Sequence, residues 1–302
     1  MHTAPLIEIH GLQKRFGSVE VLNGVDVDIL EAEIFGFLGT NGAGKSTTIN
    51  ILTNQILADD GTIEIAGMPV SNESNRSIGL APQDIALYPR LSVRENLRFF
   101  AGVYGLNGAA RRRHVDRALD KMDLRSVSGI VVENLSGGWQ RRLNLAVALV
   151  HQPRIVILDE STVGMDVEAR LLMWETIREM KTEGVTVVLT THLMDEAEVL
   201  CDRIGVLHNG RIAALGTMDE LRSVVPAVQL AEVECSDTQL LMRRAKASNI
   251  LTRNHARRLT LLLQEPLTIR DLIDRLAPLE VQSVRLRDIS LSDVFLEIAS
   301  AH

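Results

Sequence analysis

One stretch limits what this chain can fold into more than any other. Gly39-Thr40-Asn41-Gly42-Ala43-Gly44-Lys45-Ser46-Thr47 has the form G-x-x-x-x-G-K-S. Before it lies an apolar run, Ile34-Phe35-Gly36-Phe37-Leu38, that reads as a buried strand. After it, Ile49, Leu52 and Ile56 recur at helical spacing across residues 48–57. A strand, a glycine loop and a helix in that order cradle phosphate. The glycines let the backbone turn several N–H groups onto one anion, and the helix adds its positive end. Lys45 supplies a point charge for the β- and γ-phosphates, and Ser46 a hydroxyl for magnesium.

With 302 residues, 46% hydrophobic and 24% charged, the chain has material for a large domain plus a smaller one. Its net charge of -7 argues against general affinity for nucleic acid. Cys201 and Cys235 form neither a disulfide framework nor a metal-ligand spacing, and read as buried fillers. The opening is strand-like rather than a secretory signal, and no apolar run approaches the roughly 18 residues that span a bilayer. Any membrane path must come from another polypeptide.

Taken in order, residues 6–10 and 25–29 alternate like strands of a sheet with one wet face. Between them Phe16 reads either as an aromatic for stacking on a base or as a core or turn residue. Residues 61–67 and 77–81 are further strands, the second leading to Gln83. Residues 89–151 hold three helical stretches and form a helical subdomain inserted into an α/β core. Ser92 with Glu95 makes a capping box before the first stretch. The second, residues 111–122, carries an arginine run that reads as a solvated face. Ser136 opens the third.

Residues 155–158 read as a strand buried on both faces. A helix over 166–181 turns Leu172, Ile177 and Met180 inward, residues 185–190 form another buried strand, and His192 starts a helix reaching Cys201. Asn209-Gly210 between two apolar runs signals a hairpin. Alternating strands and helices mean a largely parallel sheet. After Val225-Pro226 the pattern restarts as β-α-β-β-α-β, which suggests a small ferredoxin-like α+β domain. The expected domains are therefore 1–225 and 226–302. In the second, Arg243, Arg244, Lys246, Arg257 and Arg258 read as a solvated face.

Asp159 and Glu160 end a buried strand, where open α/β sheets place their ligand sites. Asp159 can hold magnesium opposite Ser46, and Glu160 can orient or deprotonate water. His192 reads either as a hydrogen-bond partner for a γ-phosphate or as a structural or capping residue. Ser136-Gly137-Gly138 at a helix N-terminus makes a second anion site. Two such sites in one chain suggest that two copies clamp each nucleotide.

With these residues in place, the sequence resembles the nucleotide-binding subunits of ATP-binding cassette (ABC) transporters, from residue 6 to about 220. Gly39 to Thr47 match Walker A, the run ending in Asp159 matches Walker B, and Glu160 the catalytic glutamate. Gln83 matches the Q-loop, where it would share the metal with Ser46 and Asp159, and His192 the switch histidine. Phe16 falls at the adenine-stacking position, Leu135-Ser136-Gly137-Gly138 on the signature, and Asp166 in the D-loop. Three departures stand out: Trp139 for the signature glutamine, Ser161 for a proline, and Met165 for a leucine. All three should leave activity intact, and Trp139 should report closure of the clamp.

The resemblance implies a P-loop NTPase core with a parallel sheet and an N-terminal antiparallel β subdomain. It implies an ATPase using ATP and Mg2+, paired with a second copy or a paralogous ATPase. It would drive a separate integral membrane permease from the cytoplasmic face of the cell membrane. Residues 86–97 and 291–296 resemble subunits of ABC-2 type exporters, among them bacterial daunorubicin/doxorubicin resistance-type ATPases, with drug, lipid or polysaccharide cargo. The alternatives are a soluble ABC ATPase acting on ribosomes or DNA, and a regulatory protein that binds ATP. The first usually carries two cassettes or a long coiled-coil insertion, and this chain has neither; intact Glu160 and His192 argue against the second.

Overall fold

The computed structural model describes residues 5–255 and 258–300, and the chain divides into two compact units, Met1–Leu215 and Gly216–His302. The first unit opens with two 12-residue strands, β1 (Pro5–Phe16) and β2 (Val19–Leu30). They run well beyond the windows of clean alternation because register shifts, such as that between Ile9 and Leu12, absorb the breaks in the pattern. Then come β3 (Ile34–Leu38), α1 (Lys45–Leu52), β4 (Asp60–Ile65) and β5 (Met68–Pro69). An antiparallel sheet of order β2-β1-β4-β5 results. The expected helix over 48–57 is displaced: it starts at Lys45 and stops at Leu52, and Asn54 turns left-handed (φ 56°). Ile56 packs on the core from the loop beyond.

Next follow β6 (Ile78–Ala81), α2 (Val93–Val103), α3 (Gly108–Lys121), α4 (Gly137–Leu149), β7 (Ile155–Asp159), α5 (Val167–Thr182), β8 (Thr186–Thr191), α6 (Met194–Leu200), β9 (Arg203–His208) and β10 (Arg211–Gly216). Helices α2 to α4 share a core of Val93, Leu97, Val115, Leu119, Leu143 and Ala146. Each fully buried Leu or Val there contributes about 1.5–3 kcal/mol. The capping box starting α2 is formed: Glu95 N donates to Ser92 Oγ (3.3 Å) and Ser92 N to Glu95 Oε2 (2.8 Å).

On α5 the inward face is Met173, Trp174, Ile177 and Met180, whereas Leu172 is 42% exposed. The reading of Leu172 as inward is therefore corrected. Met173, Ile177 and Met180 share one stripe, and Leu172 sits one residue, hence about 100° of helix rotation, away from it. His192 likewise precedes α6 instead of starting it, since Leu193 is the N-cap.

The second sheet has the order β10-β9-β3-β8-β7-β6, and β9, β3, β8, β7 and β6 are mutually parallel. Strands β3, β7 and β8 are buried along their whole length. Because β3, β8 and β7 are neighbours running the same way, their carboxyl ends open side by side, and the residues that follow them share one edge.

The second unit contains α7 (Met218–Arg222), β11 (Gln229–Cys235), α8 (Thr238–Ala247), β12 (Leu251–His255), β13 (Arg258–Leu263), α9 (Ile269–Leu276), β14 (Val281–Arg287) and α10 (Leu291–Ser300). Its antiparallel sheet has the order β12-β13-β11-β14, with β13 inserted between β11 and β12 as in ferredoxin-like domains. Leu241, Ala245, Leu261, Leu272 and Leu276 form its core. This unit begins at Gly216, ahead of the restart read at Val225-Pro226. Helix α7 packs on α10, and Arg222 Nε donates to Ile289 O (3.0 Å). Arg287 joins β14 to Asp293 of α10 (2.6 Å) and to Glu232 of β11 (2.9 Å). Of the basic cluster, Arg243 and Lys246 are exposed; Arg257 and the side chain of Arg258 lie outside the described residues.

Candidate active site

The loop after β3 is shaped by two close approaches. A Cβ on Gly39 would stand 2.6 Å from Leu207 O, and one on Gly44 would stand 2.5 Å from Leu22 Cδ2. Gly44 also has φ 109°, which L side chains rarely adopt. These glycines seat the loop against β9 and β2, with Thr40, Asn41 and Gly42 facing solvent. Lys45 opens α1 from a buried position (4% exposed), and its Nζ donates to Gly39 O (2.8 Å) and Thr40 O (3.2 Å). The ammonium thus lies inside the curve of the loop. Ser46 is exposed and Thr47 half-buried beside it.

The carboxylates come from β7. Asp159 is 8% exposed; its Oδ1 accepts from Thr190 Oγ1 and lies 3.5 Å from Ser46 Oγ. Glu160 follows in left-handed backbone (φ 46°), uncommon for a residue with a side chain. That conformation is held by its N–H, which donates to Thr190 O (3.1 Å) and Thr190 Oγ1 (3.2 Å). Glu160 Oε1 then stands 3.6 Å from Lys45 Nζ and 3.2 Å from His192 Nδ1, while Gln83 Nε2 donates to Oε2 (3.4 Å). Neither Glu160 nor Lys45 is left as a lone buried charge, which would cost several kcal/mol.

Residues from four separate segments thus meet: Lys45 and Ser46, Gln83, Asp159 and Glu160, and His192. The remaining sequence-read residues stand apart. Phe16 is half exposed at the end of β1, with Lys14 Nζ 5.6 Å from its ring centre, so it is not part of the core. Ser136 is the N-cap of α4 but makes no side-chain cap bond. A Cβ on Gly137 or Gly138 would meet nothing within 4 Å. Asp166 caps α5, accepting from Ala169 N (2.8 Å). Among the described residues, no hydrogen bond or ion pair ties any of these five to the cluster around Glu160. Trp139 lies partly buried against the core of the helical insertion, with Arg142 5.0 Å from its ring centre.

Thr190 was missed by the sequence reading. It is fully buried in β8, one of three threonines in that strand, and nothing local marks it off from Thr186 and Thr191. Ser161 is buried, and its carbonyl accepts from Arg141 Nη1 (3.2 Å). Burial pushes the Cys201 thiol well above its ordinary range, as suits an unreactive filler.

A glycine loop joining β3 to α1, with carboxylates at the end of the parallel strand β7 on the far side of β8, is the build of a P-loop nucleotide-binding protein. The family model described as "ABC transporter" matches residues 22–163. The linearmycin resistance ATP-binding protein LnrL of Bacillus subtilis (strain 168) is 37% identical over 221 residues, 72% of this chain and 71% of that protein. The Nod factor export ATP-binding protein I of Ralstonia nicotianae is 36% identical over 242 residues, 79% of this chain and 75% of its own length. Among solved structures, the ATP-binding subunit of an ABC transporter superposes with a TM-score of 0.66 at 31% identity, covering 72% of this chain and 92% of that one. The chain belongs to the ABC transporter family, as an ATP-binding and ATP-hydrolysing subunit.

Proposed function

We propose that this subunit hydrolyses ATP between two copies of itself, or between itself and a paralogous ATPase, to power a separate membrane permease of the ABC-2 exporter type. The observation that carries the chemistry is the convergence of Lys45, Gln83 and His192 on the Glu160 carboxylate. In this reading the triphosphate takes over Lys45, and the loop amides and the start of α1 hold the phosphate oxygens. Glu160, freed from Lys45, accepts the proton of the attacking water, and His192 steadies the γ-phosphate. Phe16 stacks on the base. Ser136 to Gly138 of the second copy close over the γ-phosphate, and Asp166 lies at the junction between copies.

The donor set suits Mg2+. Ser46 and Asp159 present oxygens close together beside the loop, and hard divalent cations take oxygen ligands. Ser46, Asp159 and Gln83 would hold the ion, which would supply charge neutralisation at the phosphates.

Among the described residues, no helix is long and apolar enough to cross a membrane; in this reading the chain sits at the cytoplasmic face of the cell membrane through its permease. The named relatives serve linearmycin resistance and Nod factor export. They favour an exporter of drug, lipid or polysaccharide class, with no nucleic-acid partner.

The test is Glu160→Gln in a phosphate-release assay paired with ATP binding. Binding should persist, and turnover should fall by roughly 10²–10⁴-fold, the usual contribution of a positioned base. Turnover within a few-fold of the parent would sink the assignment.

A further inference from the structure

Glu196 on α6 is fully buried, yet the chemistry above makes no use of it. Its Oε1 accepts from Thr162 Oγ1 (2.5 Å) and from Trp174 Nε1 (3.1 Å). Its Oε2 is buried with no hydrogen-bond partner. An ionisable group with an unfilled oxygen is a costly way to occupy a core position, and an apolar side chain would fill the space without that cost. The two donors are buried with the acceptor: Thr162 is 1% exposed and Trp174 7%.

The placement of these groups suggests their use. Thr162 lies two residues beyond Glu160, in a turn closed by Val163 N donating to Glu160 O (3.3 Å) and Met165 N to Thr162 O (3.1 Å). Helix α6 begins just after His192, and its entry is fixed by Leu193 N donating to Thr191 Oγ1 (3.0 Å). Glu196 therefore ties the turn that carries Glu160 to the helix that follows His192. Both Glu160 and His192 project from these segments, and they meet at 3.2 Å. Glu160 stands in left-handed backbone, so it needs outside restraint to stay there.

We propose that Glu196 is a positioning residue for ATP hydrolysis: through its bond to Thr162 it sets where the Glu160 carboxylate stands relative to His192. Trp174 braces the same oxygen from α5 and makes the arrangement visible in fluorescence. The proposal rests on the reading of Glu160 as the base. It predicts an effect on the chemical step and not on ATP affinity, because among the described residues neither Thr162 nor Glu196 hydrogen-bonds or ion-pairs with the loop or Lys45. Misplacing a reacting group by about 1 Å costs on the order of a hundredfold in rate, so one lost tether is enough to register.

The test uses the full chain. Phosphate release is measured against ATP concentration for Thr162→Val, Glu196→Gln, Glu196→Ala and the Thr162→Val/Glu196→Ala double variant. Trp174 emission is followed in a Trp139→Phe background, where it is the remaining tryptophan. Thr162→Val should lower kcat about tenfold or more with KM for ATP within about twofold. Its Trp174 spectrum should be unchanged, since the Trp174–Glu196 bond survives. Glu196→Gln, whose amide oxygen still accepts, should keep kcat within about threefold of the parent, and the double variant should be no slower than Glu196→Ala. A smaller loss in Thr162→Val overturns the proposal. So does a matching rise in KM, an altered Trp174 spectrum in that variant, or a Glu196→Gln loss as large as that of Thr162→Val. Glu160→Gln is run alongside. If it retains turnover, the reading of the base has failed; if it is inert while Thr162→Val keeps near-parental turnover, only the positioning role has failed.

Discussion

Helices α1 and α4 are both entered through glycines, and they use them for different reasons. At the start of α1, Gly39 and Gly44 answer to their own fold, because a methyl group at either would run into β9 or β2. At the start of α4, Gly137 and Gly138 face open space in helical backbone, where alanine would serve the chain better. Lys45 at the first entry is compensated by Glu160 and two carbonyls. Ser136 at the second has a free hydroxyl that caps nothing. A glycine that its own chain does not require points to something arriving from outside, and the proposed second copy with its nucleotide is what would arrive.

The contrast can be broken most forcefully by putting alanine into each entry. Gly44→Ala should cost about 2 kcal/mol or more, through left-handed strain and overlap with Leu22, and lower the denaturation midpoint. Gly138→Ala should instead leave stability unchanged or raise it by up to about 1 kcal/mol. Its turnover should nonetheless fall on the order of a hundredfold if a nucleotide must seat against that backbone. Thermal unfolding and phosphate release on the same samples check both. Parental turnover in Gly138→Ala would remove the argument for an external partner.

A second effect sharpens the comparison from the far end of α4. His151 lies just beyond that helix, stacked on Tyr104 at 3.5 Å, with Nε2 3.1 Å from Ile78 O. Burial, reinforced by nearby His114, lowers its pKa from the ordinary 6.5 to about 4. The unfolded chain therefore takes up a proton first. Stability is full above about pH 6.5 and is lost as the pH falls toward 4, by about 1–2 kcal/mol after allowance for partial solvent screening. His151→Phe should flatten that limb of a denaturation-midpoint profile; an unchanged slope would show that other groups carry it.

The smallest effect compares two N-caps. Ser92→Ala removes the hydroxyl half of a formed capping box, the bond from Glu95 N, and should cost about 1 kcal/mol. Ser136→Ala removes a hydroxyl without an intrachain bond and should stay within about 0.5 kcal/mol by denaturant unfolding. Equal losses would mean that Ser136 caps α4 after all.

Much of this could be read from the residues alone, where spacing and chemistry are local. The loop from Gly39 to Lys45, the buried strand ending in Asp159 and the hairpin at Asn209-Gly210 each carry their signal within a few neighbours. What escaped was set by contacts distant in sequence. Leu172 is as apolar as Met173, and only the direction of the core distinguishes them. Thr190 and Glu196 look like an ordinary strand end and a solvated helix position until β8 and α6 are packed. Helix α7 is five residues long, and its capping box, Thr217 with Glu220, was its available mark. The convergence on Glu160 depends on the strand order β3-β8-β7, which no single segment encodes.

The seating of the glycine loop has a consequence for transplanting it. Val21 O is crowded from two directions, by Gly44 and by Gly210 of the β9–β10 turn, and Asn23 N donates back to Gly210 O (2.8 Å). The loop, the β2 strand and that turn are one interlocked object assembled from three distant stretches. Grafting residues 39–47 onto a foreign strand and helix would carry over the motif without the wall it leans on. A working graft would have to bring β2 and the Asn209-Gly210 turn along with it.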